Sequence, residues 1–307
     1  MKNHVPQVSR DELASRLAGP NRPLVLDVLP EEEFKRMHLP GAKNACVFNV
    51  TFLDDVKKLA PNASTQLVVY GSSWRDLASA TAAEKLVAAG YTHVADYRGG
   101  LEDWGAAGQP TEGDPGAAQS GSTPGDGNHQ INIEKSRMEW TGRNLMSAHF
   151  GTLQLRAGHI DVRDGCPFRG AFTIDMDSIE NLDIQDSKMR QILIRHLKSD
   201  DFFDTQRFPV AEFQLLSCAT LPNARPGAPN YEMIGELTLK GVTGEVKFRA
   251  IVGPTVDGLL AVDAHFDIDR TRWNVLYGSG KFYETLGKHL VNDDASLALK
   301  LITLPRA

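Results

Sequence analysis

The stretch His196–Phe213, HLKSDDFFDTQRFPVAEF, decides how the chain is read. Just before and into it, Met189, Ile192, Leu193 and Leu197 recur at three- and four-residue steps, which puts one apolar stripe on a helix. Asp200 and Asp201 follow, and then the adjacent pair Phe202 and Phe203. Pro209 stops any helix. Beyond it Ala211, Phe213 and Leu215 alternate with other side chains, the period of a strand. Two neighbouring phenylalanines are not both accommodated in water. The spacing therefore predicts a helix-to-strand corner where Phe202 and Phe203 plug or line an apolar interior.

The same alternation runs outward from this corner. Leu153 and Leu155 alternate with Gln154 and Arg156, and Phe172, Ile174 and Met176 with Thr173 and Asp175. Tyr231, Met233, Gly235, Leu237 and Leu239 share one face, with Glu232, Glu236, Thr238 and Lys240 on the other. Leu297, Leu299 and Leu301 repeat the habit, and Arg163-Asp164-Gly165 and Asp257-Gly258 supply turns. Many short alternating strands with one helix predict an antiparallel sandwich or barrel.

Across 129–307 the chain resembles the YceI-like, lipid-binding family. The pieces that carry the resemblance are WTGRNLMSAHFGTLQLRAGHIDV, IDMDSI, HLKSDDFFD, FPVAEF, GELTLKGVTGEVKF and DIDRTRWNVLYGSGKF, in that order. The resemblance implies an all-β, lipocalin-like antiparallel barrel of eight strands with a short helix, holding a polyisoprenoid, quinone-like or fatty-acid-like lipid and requiring no cofactor. An eight-stranded barrel has room for its own side chains or for one small ligand. Candidate lining residues are Trp140, Phe172, Phe202, Phe203, Phe213, Leu237, Phe266, Trp273, Tyr277 and Phe282; for each the alternative is plain core packing. His149, His196 and Arg270 are candidate head-group contacts. His149, His196 and His265 lack a compact metal-ligand spacing, so satisfied structural histidines are expected and no metal. Arg270 has a salt bridge to Asp269 or another acid as its alternative. Nothing in this half combines a nucleophile with a base.

The first half alternates differently. Ser9-Arg10-Asp11-Glu12 has the form of a capping box that starts a helix. PLVLDV (23–28) and QLVVY (66–70) are continuous apolar runs, as in buried parallel strands. Helices are expected over 31–37, 52–59 and 78–88, a short strand over 94–97, and a last helix around Trp104. Strands alternating with helices predict a parallel α/β sheet. LVLDV, HLPGA, the strand leading into GSSWRDLAS, AAEKLVAAGY and DYRGGLEDWGAAGQP together resemble a rhodanese-like domain. In that family the first residue after the second of these strands is the cysteine that carries persulfide sulfur. Here it is Gly71, so the resemblance implies a domain without its catalytic thiol, and no catalytic residue is assigned. The degenerate loop is Gly71, Ser72, Ser73, Trp74 and Arg75. Its backbone N–H groups and Arg75 could hold an anion, or the loop could be a mere connector in a docking module that binds a protein partner. A sulfurtransferase would have to use a non-standard thiol such as Cys46.

The reading divides the chain into a rhodanese-like domain (1–112), a flexible linker (113–128, GDPGAAQSGSTPGDGN) and a barrel domain (129–307). A linker of this composition spans roughly 20–25 Å. A formal net charge of −6 over 307 residues argues against a nucleic-acid partner. The N-terminus is polar from the outset and no segment has the roughly 18 uninterrupted apolar residues of a membrane span, so the expected address is cytoplasmic. Three cysteines without a CxxC pair, Cys46, Cys166 and Cys218, predict buried small hydrophobes and no disulfide framework.

Overall fold

The computed structural model describes residues 5–114, 125–255 and 257–305. The chain forms two compact units, Met1–Gln119 and Ser120–Ala307.

The first unit begins with α1 (Arg10–Ala18), capped by Ser9, whose hydroxyl accepts the Glu12 N–H at 3.3 Å. There follow β1 (Leu24–Asp27), α2 (Glu31–Arg36), the two-residue β2 (Lys43–Asn44), α3 (Phe52–Leu59), β3 (Leu67–Tyr70), α4 (Ala78–Ala88), β4 (Val94–Tyr97) and α5 (Gly100–Ala106). The four strands lie parallel in the order β2-β1-β3-β4. Every residue of β3 and β4 is buried, which is why the β3 segment reads as an unbroken apolar run. Only β2 escaped the sequence, being too short to show a period.

Asp27 ends β1 with no exposure at all. One carboxyl oxygen accepts the Leu29 N–H at 2.9 Å. Burial pushes its pKa up from 3.8 to about 6, against the pull of the Tyr70 hydroxyl and the Leu29 amide. The folded value lies above the unfolded one. This group's stabilisation is therefore complete below about pH 4 and lost as the pH rises through 6, a difference of about 3 kcal/mol. Asp27→Asn should flatten that part of the pH profile. Hydrogen exchange of the β1 and β3 amides in the full chain, corrected for intrinsic rates, reads it; identical profiles for the two proteins would sink the account.

The second unit is built from β5 (Gly127–Gln130), β6 (Arg137–Arg143), β7 (Ala148–Arg163), β8 (Cys166–Asn181), α6 (Ser187–Lys198), β9 (Val210–Thr220), β10 (Tyr231–Leu239), β11 (Val242–Pro254), β12 (Leu260–Asp269) and β13 (Asp294–Ile302). The strands pair antiparallel as β7-β6-β13-β12-β11-β10-β9-β8, and β8 pairs back onto β7. Eight strands thus close a barrel, with β5 added alongside β7. The β7–β8 hairpin turns at Asp164 and Gly165, both at positive φ (52° and 71°), the type I′ geometry that matches strand twist. Three register irregularities bend this hairpin, as bulges do where a sheet must curve into a barrel. At Gly151 the two strands approach so closely that a Cβ would run into the Glu180 carbonyl and meet Trp140 at 2.9 Å.

Strand directions put α6, the β6–β7 turn and the segment 270–293 at one end of the barrel, called here the helix end. The Asp164–Gly165 turn lies at the other. The corner read from the sequence stands where expected, with Pro209 opening β9 and Ala211, Phe213 and Leu215 buried.

Two expectations change. The single apolar stripe on α6 is split: Leu197 is buried and Leu193 packs against the core, while Met189 and Ile192 face outward. The helix lies on the barrel end by its C-terminal half, so its first turns have little core to cover. The linker is also narrower than 113–128. Asp114 donates its N–H to the Lys35 carbonyl at 2.8 Å, and Gly127 and Asn128 already pair with Val162 and Asp161. Residues 115–124 of the expected linker lie outside the described residues.

Candidate functional site

The inward positions of the barrel strands bring three of the expected aromatics into one row. Phe172 stacks on Phe213 with centroids 5.0 Å apart, Phe213 lies 5.8 Å from Phe248, and Phe248 stacks on Phe266 at 4.3 Å. Phe248 is the member that sequence reasoning missed. Its signal was the alternation of Val246, Phe248 and Ala250 on β11. Beside Phe172, Phe213 and Phe248 lies a partly open apolar pocket of about 30 Å³, walled also by Leu215, Met233, Val262 and Leu299.

A second group closes the helix end. His196 meets Tyr277 edge-on at 4.6 Å and Phe202 at 5.0 Å; Phe202 lies 5.1 Å from Tyr277 and 6.3 Å from Phe203. Phe202 is buried and Phe203 partly so. Trp273 is fully buried and donates its indole N–H to the Leu237 carbonyl at 2.8 Å, which joins two more of the expected residues. Trp140 is partly buried over the β7–β8 closure, with its indole N–H on the Glu180 carbonyl at 3.2 Å. Phe282 does not join either group. It is 53% exposed on the 270–293 segment, where no core strand imposes a period on its neighbours.

The polar candidates are engaged by the chain itself. His149 Nδ1 lies 2.8 Å from Asp183 Oδ2. Burial opposes the charge on Asp183, but hydrogen bonds from His149, the Phe150 amide and Asn181 outweigh it and hold its carboxyl below the usual range. His196 pairs with Asp201 at 3.3 Å and the exposed His265 with Asp263 at 3.2 Å. Arg270 is buried and donates to the carbonyls of Asn292 (3.0 Å), Val275 (2.5 Å) and Val291 (3.0 Å), with the Asp293 carboxylate 3.9 Å away. Asp269 instead takes Lys281 at 2.7 Å and Thr271. The guanidinium therefore ties both ends of the 270–293 segment together, and its donors are turned to main chain.

The cysteines differ from a uniformly buried set. Cys46 is buried, whereas Cys166 and Cys218 are half-buried. The Tyr231 hydroxyl donates to Cys166 Sγ at 3.2 Å. Burial, with the nearby Cys166 thiol, pushes the Cys218 thiol up to about 12.

In the first unit, the loop after β3 is closed on itself. Asp76 accepts the Ser72 N–H at 3.3 Å, the Ser72 hydroxyl at 2.9 Å and the Ala78 N–H at 2.9 Å. Arg75 pairs with Glu102 at 2.8 Å, and Arg98 donates to the Asp76 and Trp74 carbonyls, both at 2.7 Å. The amides that could have held an external anion hold the chain's own carboxylate, and Arg75, the cation that could have helped, is paired elsewhere. A Cβ at Gly71 would lie 3.1 Å from Asp76 Oδ2. Asp76, five residues after Gly71, is what the sequence reading overlooked.

Comparison with known proteins follows the same division. The YceI-like domain model matches residues 129–302 and the rhodanese-like domain model residues 9–107. The first match covers more than half of the chain, and the protein belongs to the YceI-like family, with a rhodanese-like domain ahead of the family domain. Among solved structures it is similar to BcnA of Burkholderia cenocepacia (19% identity, TM-score 0.45, 57% of this chain and 99% of that one). It is also similar to a domain from Saccharophagus degradans described as polyisoprenoid-binding (13%, 0.42, 59% and 100%). Over its first part it is 33% identical to the adenylyltransferase and sulfurtransferase UBA4 of Candida albicans across 103 residues; the chain spans 23% of that relative's length. Among the described residues no helix is long and apolar enough to cross a membrane, and no three His, Cys, Asp or Glu side chains are grouped to hold a metal ion.

Arg270→Met should cost about 3 kcal/mol or more, since it leaves three main-chain carbonyls without their buried donor. Arg270→Lys should rescue little, because one ammonium cannot replace a planar fork. Hydrogen exchange should show segment 274–293 loosening before the barrel strands. Uniform loosening of the whole barrel would remove the role given to Arg270 as a tie.

Proposed function

We propose that the barrel domain binds one long apolar chain, of polyisoprenoid, quinone or fatty-acid type, without a resident cofactor. The first domain serves as a non-catalytic module that docks a protein partner. The observation that carries the first part is the closed barrel with an apolar interior organised around four phenylalanines. Each buried CH₂ contributes about 0.8 kcal/mol, so a five-carbon unit contributes about 4 kcal/mol before ordering costs.

The pocket of about 30 Å³ sets the condition. A chain of several such units enters only by displacing interior side chains or the segment that closes the helix end. The same number favours a second reading, in which the barrel is filled by its own side chains and serves as an interaction module. Native mass spectrometry of the freshly purified protein, followed by organic extraction, separates the two. On the first reading an apolar adduct is retained, Phe203→Asp reduces its retention, and Phe213→Ala admits bulkier chains by opening the row. A protein that stays bare after incubation with quinones, polyprenols and fatty acids, Phe213→Ala included, supports the second reading.

The second part is supported by Gly71 and by the carboxylate that occupies the loop. Thiosulfate:cyanide turnover should be absent from the wild type. Gly71→Cys alone should not restore it, because Asp76 would raise the new thiol's pKa and so suppress its thiolate. Gly71→Cys combined with Asp76→Asn should give measurable turnover. Wild-type turnover that disappears in Cys46→Ser would instead establish a sulfurtransferase with a non-standard thiol.

A further inference from the structure

The helix end of the barrel carries a surface that the ligand reading does not use. Among the described residues of the second unit, nine of the twelve exposed large apolar side chains lie at or beside this end. They come from three separate elements. Leu145 and Met146 form the tip of the β6–β7 turn and are 91% and 87% exposed. Met189 and Ile192 stand on the outer face of α6, and Phe282 and Tyr283 on the 270–293 segment. These elements are held to one another and to the barrel. The Asn292 N–H donates to the Arg143 carbonyl at the base of the β6–β7 turn, and His196 of α6 packs on Tyr277.

The charge on α6 is of one sign. SKMRQILIRHLK has four cations, Lys188, Arg190, Arg195 and Lys198, and no acid, in a chain whose net charge is −6. Among the described residues none of the four makes an ion pair. Arg190 and Lys198 donate only to main chain, to the Ile184 and Asp177 carbonyls. Most acids nearest the helix are occupied: Asp183 by His149, Asp186 as the helix cap, Asp201 by His196 and Asp204 by Arg207. Unpaired cations beside protruding apolar side chains match an anionic bilayer surface, which offers negative head groups above an apolar layer. A turn that exposes an adjacent Leu-Met pair at its tip has the size and polarity to enter the head-group layer.

We infer that the helix end is a peripheral docking surface for an anionic lipid bilayer, with Leu145 and Met146 inserting and the cations of α6 held against the head groups. This surface is independent of whether the barrel holds a ligand. It would also place the segment tied by Arg270 against the source of any apolar cargo.

Flotation of the full chain with phosphatidylcholine vesicles, with and without phosphatidylglycerol, tests it. The protein is expected to float with the anionic vesicles and to be released by added salt. Leu145→Ser with Met146→Ser, and separately Lys188→Glu with Arg195→Glu, should each weaken binding about tenfold or more. All four positions are exposed, so folding should be undisturbed, and circular dichroism checks it. Ile133→Ser, away from this end, should leave binding unchanged. No flotation with anionic vesicles, or flotation reduced equally by Ile133→Ser, would overturn the inference. So would vesicle binding that the helix-end variants leave intact. A helix-end surface that ignores vesicles but retains a defined protein would make that protein its partner instead of a membrane.

Discussion

The pairing of β8 back onto β7 is the contact on which the second unit depends. Without it the sheet would have two free edges, each a row of unsatisfied N–H and C=O groups. Closure converts both into ladder bonds and turns every inward side chain toward one axis. The cost is local: two 16-residue strands must bend together. That bend is why the hairpin carries three irregularities and why position 151 has no room for a side chain. The phenylalanine row, the small pocket and the plugged helix end all follow from a sheet forced into a ring.

Closure also explains where polar chemistry is found. Inside the ring there is no place for an unpartnered charge, since burying one unpaired is expensive. The titratable groups therefore sit at the ends and on the outer wall, several of them paired: His149 with Asp183, His196 with Asp201, Lys281 with Asp269. The first unit solves a similar problem differently. Its parallel sheet buries both faces, and the two carboxyls held there, Asp27 and Asp96, are shifted toward their neutral forms by burial. The loop after β3 takes in Asp76 as an internal anion, which satisfies amides that would otherwise need one from outside.

Much of this was legible in the residues. Strands with a strict period of two, such as β10, and apolar runs such as β3 show their fold class directly, because burial on one face or both leaves a pattern in composition. The corner at Phe202 and Phe203 was legible because Pro209 marks where one period ends and the other begins. What escaped had no period to betray it. The partner of a loop amide, Asp76, is chosen by backbone geometry. The outward turn of Met189 and Ile192 depends on how far α6 reaches across the barrel, which helical spacing alone does not contain. The exposure of Phe282 likewise follows from a segment held by main-chain contacts to Arg270, with no alternation to read. Phe248 was readable but passed over, its alternation with Val246 and Ala250 being as regular as that of the residues chosen.

The tie made by Arg270 has a character of its own. A guanidinium keeps its proton at any pH where a protein remains folded, and main-chain carbonyls do not titrate. A clasp made of these parts is indifferent to acidity. The segment 270–293 is therefore not released by acidification at that point. What loosens it must compete for carbonyls or donors directly, or draw away the apolar side chains packed behind it. At this clasp the closed end of the barrel thus answers to the polarity of its surroundings and not to their proton concentration.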